Sequence, residues 1–446
     1  MKIVKQISIL GAGRSAGFLI SYLGNCANRE GWKLRVCDKD FMRLKASFEI
    51  SSHTELSIVD LSVPSELSRI VSDSFLVVSV LPPILHVEVA KICLVYGVHL
   101  FTASYTSAQM LSLDAEATAK GLLFMNELGL DPGIDHLSAS RLFDKAQSEG
   151  LDVVEFESHC GGLVSEDSCG NNPWKYKFTW NPSNVVLAGQ GDSCIWKENG
   201  NIKRLDAQRV FAESRKISVP GLGIFDVYAN RNSLTYQELY GLNNAKTLLR
   251  GTLRRENYCK AWSVLIDWGF ANSKDCVPPQ VNTRKEWFQW LTGAKNFSQW
   301  TIQLLRDNPH LDNIIGHLHY LELDSSSAGE SISGLNSARI LENILLDKWQ
   351  LQANDIDEVV MVHKLVLRDL NGKPKQWYSV LRVLGEGGDR TAMAKTVGFP
   401  LAMGVETFLM GELTDRGVMV PFDKSWYRPI LDKLALQKIV FEEHFS

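Results

Sequence analysis

The sequence predicts an α/β protein with a doubly wound parallel sheet in a first domain and a mixed α/β second domain that carries a helical insertion. Three observations lead to this fold class. Apolar runs alternate with helix-like segments as far as Glu127. The first of these runs is followed by a glycine-rich turn. After Leu151 the sequence becomes β-rich, with aromatic, glycine and asparagine residues. With 446 residues, 45% of them hydrophobic, the chain exceeds one typical core, so we expect two or three domains.

The first part of the chain supplies the strands of the parallel sheet. Five apolar runs are short enough for buried strands and are separated by helix-like segments: KQISIL, KLRVCD, FLVVSVL, VHLFTA and LLFMNE. After Leu151 the pattern predicts β-rich sequence with aromatic, glycine and asparagine residues, in EFESHCGG, WKYKFTWN and NVVLAGQG. This change marks the start of the second, mixed α/β domain.

The rest of the chain completes the second domain and returns to the first. The sequence turns helical and tryptophan-rich after Arg254, whereas EVVMVHKLVL and WYSVLRVLG flank a turn at Asn371 and Gly372 and predict a hairpin. TAMAKTVGFPLAMGVETFLMGEL predicts a long helix that packs on the first domain. We therefore assign residues 1–130 and 388–430 to the first domain, 131–253 and 349–387 to the second, and 254–348 to a helical insertion.

The stretch ISILGAGRSAGFLISYL has the pattern of a dinucleotide-binding turn. Gly11, Gly13 and Ala16 stand in the G-x-G-x-x-(G/A) spacing between a predicted strand and a predicted helix. The first glycine makes the tight turn, the second lets a pyrophosphate approach the helix amides, and the alanine permits close packing. The next strand ends in Asp38, which completes the pattern. The first domain is therefore predicted to be a Rossmann-type domain.

Asp38 also bears on which dinucleotide is bound. A carboxylate at this position accepts hydrogen bonds from both ribose hydroxyls, and it repels the 2′-phosphate of NADP. We therefore expect NAD to be preferred. Lys39 beside it would soften that repulsion, so NADP stays open as an alternative.

A second candidate site lies in NELGLDPGIDHLSA, which turns at Pro132 and Gly133 between an apolar run and an amphipathic helix. Asp131 either caps this helix or belongs to a ligand site. Corners after parallel strands are where open α/β sheets bind ligands, which favours the second interpretation. For Asp135 and His136 we expect capping and packing in the first helical turn.

Composition argues against several other classes of protein. The net charge of -4, the pI of about 6.2 and the lack of a basic cluster argue against nucleic-acid binding. No apolar run approaches the ~20 residues of a spanning helix and no signal-peptide pattern is seen, so we expect a cytoplasmic protein without a membrane partner. The eight cysteines include no Cys-x-x-Cys pair and the histidines have no ligand spacing, so no metal is expected.

Five motifs occur in order along the chain: NELGLDPGIDH, SHCGGL, NNPWKYKFTW, YANRNS and RGTLR. With them the sequence resembles, nearly from end to end, the glutamate-forming saccharopine dehydrogenases, also called saccharopine reductases. It is most similar to the NAD-using half of the bifunctional lysine-degrading enzyme, as in YGLNNAKTLLRGTLR and TAMAKTVGFP. The resemblance implies NAD(P)-dependent oxidation of the CH–NH bond of saccharopine to L-glutamate and 2-aminoadipate 6-semialdehyde, in lysine metabolism. We expect a homodimer.

The resemblance also implies which residues form the site. Cofactor contacts would fall on Ala12, Gly13, Arg14, Ser15, Asp38, Lys39, Thr102, Ala103, Leu130, Asp131 and Pro132, beside Gly11 and Ala16 of the glycine motif. Substrate contacts would fall on Ser104, Tyr105, Asp131, Arg231, Thr252, Leu253 and Arg254. Asp131 and Tyr105 are the candidates for the catalytic base, and Cys160, which matches a cysteine bordering the family's site, is a weaker one.

The chemistry of saccharopine agrees with these residue types. The molecule presents three carboxylates and two amines, so arginines are natural clamps. Arg231 and Arg254 can each hold a carboxylate with paired hydrogen bonds, and Ser104 and Thr252 can complete the set. Asp131 can also anchor the α-amino group.

The sequence departs from the family pattern in three places. Val164 and Ser165 stand where relatives have Pro-Ala-Pro before a glutamate, and this change bears on the rigidity of the loop. Arg255 replaces the usual aromatic residue after Leu-Arg. Pro83 replaces an aromatic residue in SVLPP, which bears on the nicotinamide end of the site.

Two alternative functions stay open. A carboxyspermidine- or opine-type dehydrogenase of the same fold would handle a polyamine product, which would want acids where Arg231 and Arg254 stand. A non-catalytic NAD-binding protein would predict the loss of Asp131, Tyr105 and the arginines, all of which are present.

Overall fold

The structure is a computed structural model that describes residues 5–325, 332–411 and 413–446. The predicted first domain, helical insertion and C-terminal helix include residues outside these ranges, at 1–4, 326–331 and 412. For those residues the sequence-based predictions stay predictions.

Strands and helices alternate in the first part of the described chain and are mixed in the second. The strands are β1 (Gln6–Leu10), β2 (Lys33–Asp38), β3 (Thr54–Ile58), β4 (Leu76–Ser79), β5 (His99–Thr102), β6 (Leu123–Met125), β7 (Asp152–Val164), β8 (Cys194–Glu198), β9 (Asn201–Leu205), β10 (Arg215–Val219), β11 (Gly223–Ala229), β12 (Thr247–Arg255), β13 (Asp357–Arg368), β14 (Pro374–Leu384), β15 (Gly417–Met419) and β16 (Phe441–Phe445). The helices are α1 (Gly17–Glu30), α2 (Met42–Ser47), α3 (Pro64–Ser72), α4 (His86–Tyr96), α5 (Ala108–Leu111), α6 (Asp114–Ala119), α7 (Ile134–Ser148), α8 (Pro182–Val186), α9 (Tyr258–Asp267), α10 (Arg284–Thr292), α11 (Phe297–Asp307), α12 (Ile315–Tyr320), α13 (Ser337–Lys348), α14 (Ala392–Leu409) and α15 (Lys424–Leu436).

The chain divides into two compact units, one formed by residues 1–151 and 381–441 and the other by residues 152–380 and 442–446. The first unit therefore includes α7, which we had assigned to the second domain. Tyr427 of α15 donates to Asp144 of α7 at 2.5 Å, and this contact ties the helix to the first unit. The local sequence pattern could not predict this contact, because Tyr427 lies far along the chain from Asp144.

The first unit contains a seven-stranded sheet in the order β15-β6-β5-β4-β1-β2-β3, and its strand pairs are parallel. The five predicted apolar runs form β1, β2, β4, β5 and β6, so the parallel α/β domain is confirmed. We did not predict β3. It lies at the edge of the sheet and has the sequence TELSI, which contains no apolar run. An edge strand has a neighbouring strand on one side only, so it can carry more polar residues than a central strand.

The second unit contains a mixed sheet whose main path is β10-β11-β12-β7-β13-β14-β16, with β8 and β9 beside it. The pair β12–β7 is parallel, whereas β11–β12 and β13–β7 are antiparallel. The predicted hairpin is confirmed by β13 and β14. Two predicted β segments were wrong: WKYKFTWN forms no strand, and NVVLAGQG includes the end of helix α8. Trp174, Tyr176 and Phe178 instead insert alternately into an aromatic core.

The predicted helical insertion is confirmed in its described part, which forms α9 to α13. Its core is rich in buried tryptophan, with Trp262, Trp287, Trp300 and Trp349 almost fully covered. Within the described residues, we find no helix with both the length and the apolar character needed to cross a bilayer.

Candidate functional site

The glycine-rich turn joins β1 to α1 in the first unit. Gly11 has a φ of 104°, a conformation that glycine adopts easily, and a Cβ there would lie 3.2 Å from the side chain of Val80. Gly13 is exposed, and a Cβ there would meet no atom within 4 Å. The amide of Ala16 donates to the carbonyl of Gly13 at 3.0 Å. The turn therefore has the tight bend and the open side that a pyrophosphate site requires.

Asp38 ends β2 and holds this turn. One carboxylate oxygen accepts from the amide of Ala12 at 2.6 Å, and the other accepts from the amide of Asp40 at 3.2 Å. The neighbouring Lys39 is exposed, and its Nζ lies 3.8 Å from the carboxylate of Asp60. The structure thus brings Asp38 to the glycine-rich turn, whereas the lysine charge is shared with another acid.

Tyr105 and Asp131, which we predicted from separate motifs, are brought together. The hydroxyl of Tyr105 donates to Oδ1 of Asp131 at 2.9 Å, and both residues are half-buried. Tyr105 follows β5 and Asp131 follows β6, and these strands are neighbours whose carboxyl ends lie at one edge of the sheet. A hydroxyl and a carboxylate in contact can bind an ammonium group and exchange a proton with it.

Asp135 makes the local hydrogen bond at the start of α7. Its Oδ1 accepts from the amide of Gly133 at 2.6 Å, and the residue is buried. Gly133 has a φ of 145°, and a Cβ there would lie 2.0 Å from the carbonyl oxygen of Gly129, so only glycine fits this turn. Asp135 therefore stabilises the turn before α7, whereas Asp131 contacts the hydroxyl of Tyr105.

Glu127 connects the loop after β5 to the Asp131 turn. Its Oε1 accepts from the amide of Thr106 at 2.8 Å, and its Oε2 lies 2.8 Å from Nε2 of His136. Burial would raise the pKa of this carboxyl, but the hydrogen bond and charge of His136 outweigh burial and hold the pKa below its ordinary value. The buried pair fixes the backbone beside Tyr105.

Thr102 and Ser104, predicted to contact cofactor and substrate, meet at a buried histidine. Nε2 of His86 lies 2.9 Å from Oγ of Ser104 and 3.2 Å from Oγ1 of Thr102, and its Nδ1 lies 2.9 Å from Oγ of Ser79. Burial lowers the pKa of His86 to about 4, so the ring is neutral near pH 7.

In the second unit, predicted residues share one face of the mixed sheet. The register places Tyr228, Thr252 and Cys160 in one row across β11, β12 and β7. Side chains alternate between faces along a strand, so Arg254 lies on the same face as Thr252. The Cys160 thiol, which belongs to this row, is buried.

Leu253 and Arg255 lie on the opposite face of β12. The Leu253 side chain is fully buried in an apolar cluster with Leu163 and Val360, so only its backbone is available to a ligand. Arg255 is also buried, and its guanidinium donates to the carboxylate of Glu358. The arginine that replaces the family's aromatic residue thus has an acid partner within the unit.

Arg254 is buried, and no carboxylate of the described residues pairs with it. Its guanidinium carbon lies 5.2, 5.7 and 5.3 Å from the ring centroids of Tyr176, Tyr228 and Tyr258, and we call these three residues the tyrosine cage. Burial raises the pKa of all three hydroxyls, so the rings are neutral. Asp226 is the register partner of Arg254, but its carboxylate accepts from the amide of Cys259 at 3.2 Å.

The hydrogen bonds of Arg254 leave capacity for a ligand. Nη1 donates to the carbonyl of Leu253 at 2.9 Å and Nη2 to the hydroxyl of Tyr228 at 3.4 Å, while Nε has no partner and is buried. Among the residues that the structure describes, no carboxylate lies within ion-pair distance of this guanidinium. A buried cation of this kind is suited to an anionic ligand.

Arg231 is not brought beside Arg254. It is exposed, has a φ of 55°, and follows the end of β11. Asp226, opposite Arg254, precedes Arg231 by five residues of mostly extended chain, which is about 17 Å. Arg254 lies near the carboxyl end of β12, whereas Arg231 follows the carboxyl end of the antiparallel neighbour β11, so the two predicted clamps are separated along the sheet.

The remaining predicted cofactor residues lie at the carboxyl edge of the parallel sheet or on the glycine-rich turn. Arg14 is exposed, Ser15, Ala103 and Lys39 are half-buried or exposed, and Leu130 and Pro132 are buried in the turn before α7. No group of three or more His, Cys, Asp or Glu residues is arranged to hold a metal ion in the described part of the chain.

Sequence reasoning missed His86, Glu127 and the tyrosine cage. His86 had a usable signal, because it begins the helix that follows a buried strand and so lies near the ligand-binding edge of a parallel sheet. Tyr176 was hidden by the strand-like alternation of WKYKFTWN. Tyr228 begins the YANRNS motif and Tyr258 lies four residues after Arg254, but nothing in the sequence indicated that their rings surround the guanidinium.

Two family models match the chain. The one described as "Saccharopine dehydrogenase NADP binding domain" matches residues 7–125, and the one described as "Saccharopine dehydrogenase C-terminal domain" matches residues 129–439. The chain is 34% identical over 384 residues to the mitochondrial alpha-aminoadipic semialdehyde synthase of Bos taurus, a match that covers 84% of this chain and 41% of that protein. The chain thus spans less than half the length of this relative.

Two yeast proteins match over almost their whole length. The chain is 29% identical to the saccharopine dehydrogenase [NADP(+), L-glutamate-forming] of Schizosaccharomyces pombe, a match that covers 98% of each. The apo structure of saccharopine dehydrogenase (L-Glu forming) from Saccharomyces cerevisiae superposes with a TM-score of 0.87 at 26% identity, covering 99% of this chain and 100% of that one. This chain belongs to the saccharopine dehydrogenase family.

Proposed function

We propose that this protein oxidises saccharopine with a nicotinamide dinucleotide and releases L-glutamate and 2-aminoadipate 6-semialdehyde. The observation that carries the proposal is Arg254, a buried cation whose partners in the described chain are a carbonyl and tyrosine side chains. The names of the yeast relatives point to the same reaction.

The tyrosine cage explains how Arg254 would bind a carboxylate tightly. Aromatic faces stabilise the guanidinium by cation–π attraction but offer no acceptor in its plane, so its N–H groups keep the capacity for a carboxylate. The rings also exclude water, which strengthens an ion pair once the ligand has entered. Thr252, on the same face, can add a hydroxyl donor, and Arg231, which follows the end of β11, can clamp a second carboxylate.

The residues of the glycine-rich turn would hold the dinucleotide. The amides at the start of α1, from Gly13 to Ser15, suit a pyrophosphate, and Thr102 and Ala103 lie at the strand edge where the nicotinamide end is expected. The dinucleotide held by these residues would supply the acceptor for the hydride that leaves the carbon derived from the ε-carbon of lysine.

Asp131 and Tyr105 would manage the ammonium groups and protons of the substrate. Oxidation requires a neutral secondary amine, and the imine that forms must take up water before the C–N bond breaks to give an aldehyde and the amine of glutamate. The contact between Tyr105 and Asp131 supports a role as one unit, in which Asp131 holds positive charge and Tyr105 relays a proton. Cys160, which matches a cysteine bordering the family's site, is a weaker candidate.

We further propose that NAD is preferred over NADP. The Asp38 carboxylate is held at the glycine-rich turn, where it would accept the ribose hydroxyls, and Lys39 is paired with Asp60. The family name and the yeast relatives mention NADP, so kcat/KM with each dinucleotide should be compared for the unmodified protein and for Asp38→Ala. A higher value with NADP in the unmodified protein would contradict this preference and leave the fold untouched.

The proposed reaction is tested by absorbance at 340 nm with purified protein, saccharopine and either dinucleotide. We expect absorbance to rise with saccharopine and to stay flat with carboxyspermidine or an opine, because the buried guanidinium selects an additional carboxylate. Turnover of carboxyspermidine or an opine in preference would favour the alternative dehydrogenase. Dinucleotide binding without any turnover would favour a non-catalytic protein.

A further inference from the structure

Glu127 has a backbone conformation that is unusual for a buried residue. Its φ is 58°, in the left-handed region, where the Cβ of any residue other than glycine is crowded by the backbone. Six other non-glycine residues have a positive φ in the part of the chain that the structure describes, and all six are exposed or half-buried, whereas Glu127 is 3% exposed. Strained backbone persists only where surrounding contacts hold it, and it is concentrated at functional sites.

Two groups of Glu127 contact the short segment that carries Tyr105. Its backbone amide donates to the carbonyl of Ser104 at 3.1 Å, and its Oε1 accepts from the amide of Thr106 at 2.8 Å. These are the residues directly before and after Tyr105. In the left-handed conformation, the amide and the carboxylate of Glu127 therefore face the same segment, and one residue holds the backbone of Tyr105 on both sides.

The other carboxylate oxygen joins this segment to the helix that follows the Asp131 turn. Oε2 of Glu127 lies 2.8 Å from Nε2 of His136, which is fully buried in the first turn of α7. A carboxylate can accept hydrogen bonds at both of its oxygens. Glu127 therefore connects the two sides of the contact in which the Tyr105 hydroxyl donates to Oδ1 of Asp131.

We propose that Glu127 is a positioning residue that holds the Tyr105 hydroxyl against Asp131 for proton transfer. The role rests on the proposed function, because the proton is transferred in the oxidation of saccharopine. Asp131 has a support of its own, since Oδ1 of Asp135 accepts from the amide of Gly133 in the same turn at 2.6 Å. Loss of the Glu127 carboxylate should therefore impair proton transfer more than substrate binding.

Steady-state kinetics test this division of effects. Glu127→Ala removes both carboxylate contacts, so kcat should fall about ten- to a hundredfold, the usual loss for hydrogen bonds to a charged group, while the KM for saccharopine changes less than about threefold. An unchanged kcat in a folded Glu127→Ala protein would contradict the proposal.

Glu127→Asp replaces this variant if Glu127→Ala does not fold. Aspartate tolerates the left-handed conformation and keeps the charge, but its shorter side chain cannot reach both Thr106 and His136. We expect kcat to fall about threefold to tenfold, the loss for one hydrogen bond, and no fall would count against the proposal.

A double variant tests whether Glu127 acts through Tyr105. Tyr105→Phe removes the hydroxyl and should lower kcat by itself. If Glu127 serves to position that hydroxyl, Tyr105→Phe combined with Glu127→Ala should have the kcat of Tyr105→Phe alone, because the effects of residues that act as one unit are not additive. A further fall in the double variant, equal to that caused by Glu127→Ala alone, would show that Glu127 acts by another route and would overturn the proposal.

The surroundings of Tyr105 can also be followed without turnover. In protein labelled with 3-fluorotyrosine, the ¹⁹F resonance of Tyr105 is assigned by its loss in Tyr105→Phe. We expect this resonance to shift in Glu127→Ala, as it should in Asp131→Ala, and an unmoved resonance in Glu127→Ala would overturn the proposal. The result is readable even if the protein does not oxidise saccharopine, which would refute the proposed function alone.

Glu406 provides the matched control. It is a buried acid of the same unit, and its Oε2 accepts from the hydroxyl of Tyr22 at 2.8 Å and lies 3.0 Å from Nζ of Lys433. Glu406→Ala should lower the melting temperature and leave both kcat and the Tyr105 resonance unchanged. An equal shift of that resonance in Glu406→Ala would show that it reports a general loosening of the unit, and this would contradict a specific role for Glu127.

Discussion

Arg254 and Arg255 are adjacent on one strand, and both are buried, yet their surroundings differ completely. Arg255 donates to the carboxylate of Glu358, whereas Arg254 is surrounded by the tyrosine cage and has no acid partner among the described residues. Burying a charge is costly unless it is paired. The ion pair on one face serves folding, whereas we propose that the cation on the other face, which has no acid partner among the described residues, serves to bind a ligand.

The largest effect is expected from breaking the pair. Arg255→Met would remove the guanidinium that donates to the buried carboxylate of Glu358, so the free energy of unfolding should fall by about 3 to 5 kcal/mol. Urea unfolding measures this loss, and kcat/KM per folded molecule should change little. Arg255→Met combined with Glu358→Leu should recover most of the stability. A loss of activity with unchanged stability would show that Arg255 serves the ligand.

Arg254→Met is expected to give the opposite pattern. It removes a cation that has no acid partner in the described parts of the chain. The free energy of unfolding should therefore change by only about 1 kcal/mol, since the lost cation–π contacts offset the relief of burial. The KM for saccharopine should rise about ten- to a hundredfold, because a charge-assisted pair contributes about 1.5 to 3 kcal/mol. A stability loss as large as that of Arg255→Met would contradict the distinction.

Asp131 and Asp135 allow the same comparison among carboxylates. Asp131→Asn keeps an acceptor for Tyr105 and removes the charge, so the melting temperature should be preserved. We expect kcat/KM to fall about tenfold or more, because proton transfer or ammonium binding is lost. Near-normal kcat/KM in a folded Asp131→Asn protein would show that Asp131 has only a structural role in this turn.

Asp135→Ala should have the smallest effect, and it should lower stability rather than activity. Its carboxylate accepts from the amide of Gly133, so its loss should lower the free energy of unfolding by about 1 kcal/mol. Activity should be largely retained, as measured by steady-state kinetics on the folded protein. A large loss of activity would place Asp135 in the reaction.

The sequence was sufficient where structure depends on local pattern. Buried runs such as ISIL predicted the central strands of the parallel sheet, and the glycine spacing predicted the turn at Gly11 and Gly13. The strand at Thr54–Ile58 was missed because an edge strand needs no apolar run, and WKYKFTWN was misassigned because its alternation serves an aromatic core.

The division between Arg254 and Arg255 could not be predicted from sequence. A shift of one residue moves a side chain to the other face of a sheet, so the partners of each arginine depend on strand register. Glu358 lies more than a hundred residues further along the chain, and the tyrosine cage combines three distant segments. The family resemblance indicated that Arg254 contacts the substrate, but it gave no physical reason why Arg254 rather than Arg255 should do so.

The central claim, that Arg254 is buried to receive a substrate carboxylate, is tested most directly by saccharopine-dependent stabilisation. Unfolding by urea is measured for the unmodified protein, Arg254→Met and Arg255→Met, with and without saccharopine at a hundred times its Kd for the unmodified protein. A ligand that binds only the folded state adds about 2.7 kcal/mol at that concentration. We predict this gain for the unmodified protein and Arg255→Met, and a much smaller one for Arg254→Met. An equal gain in Arg254→Met would contradict the account.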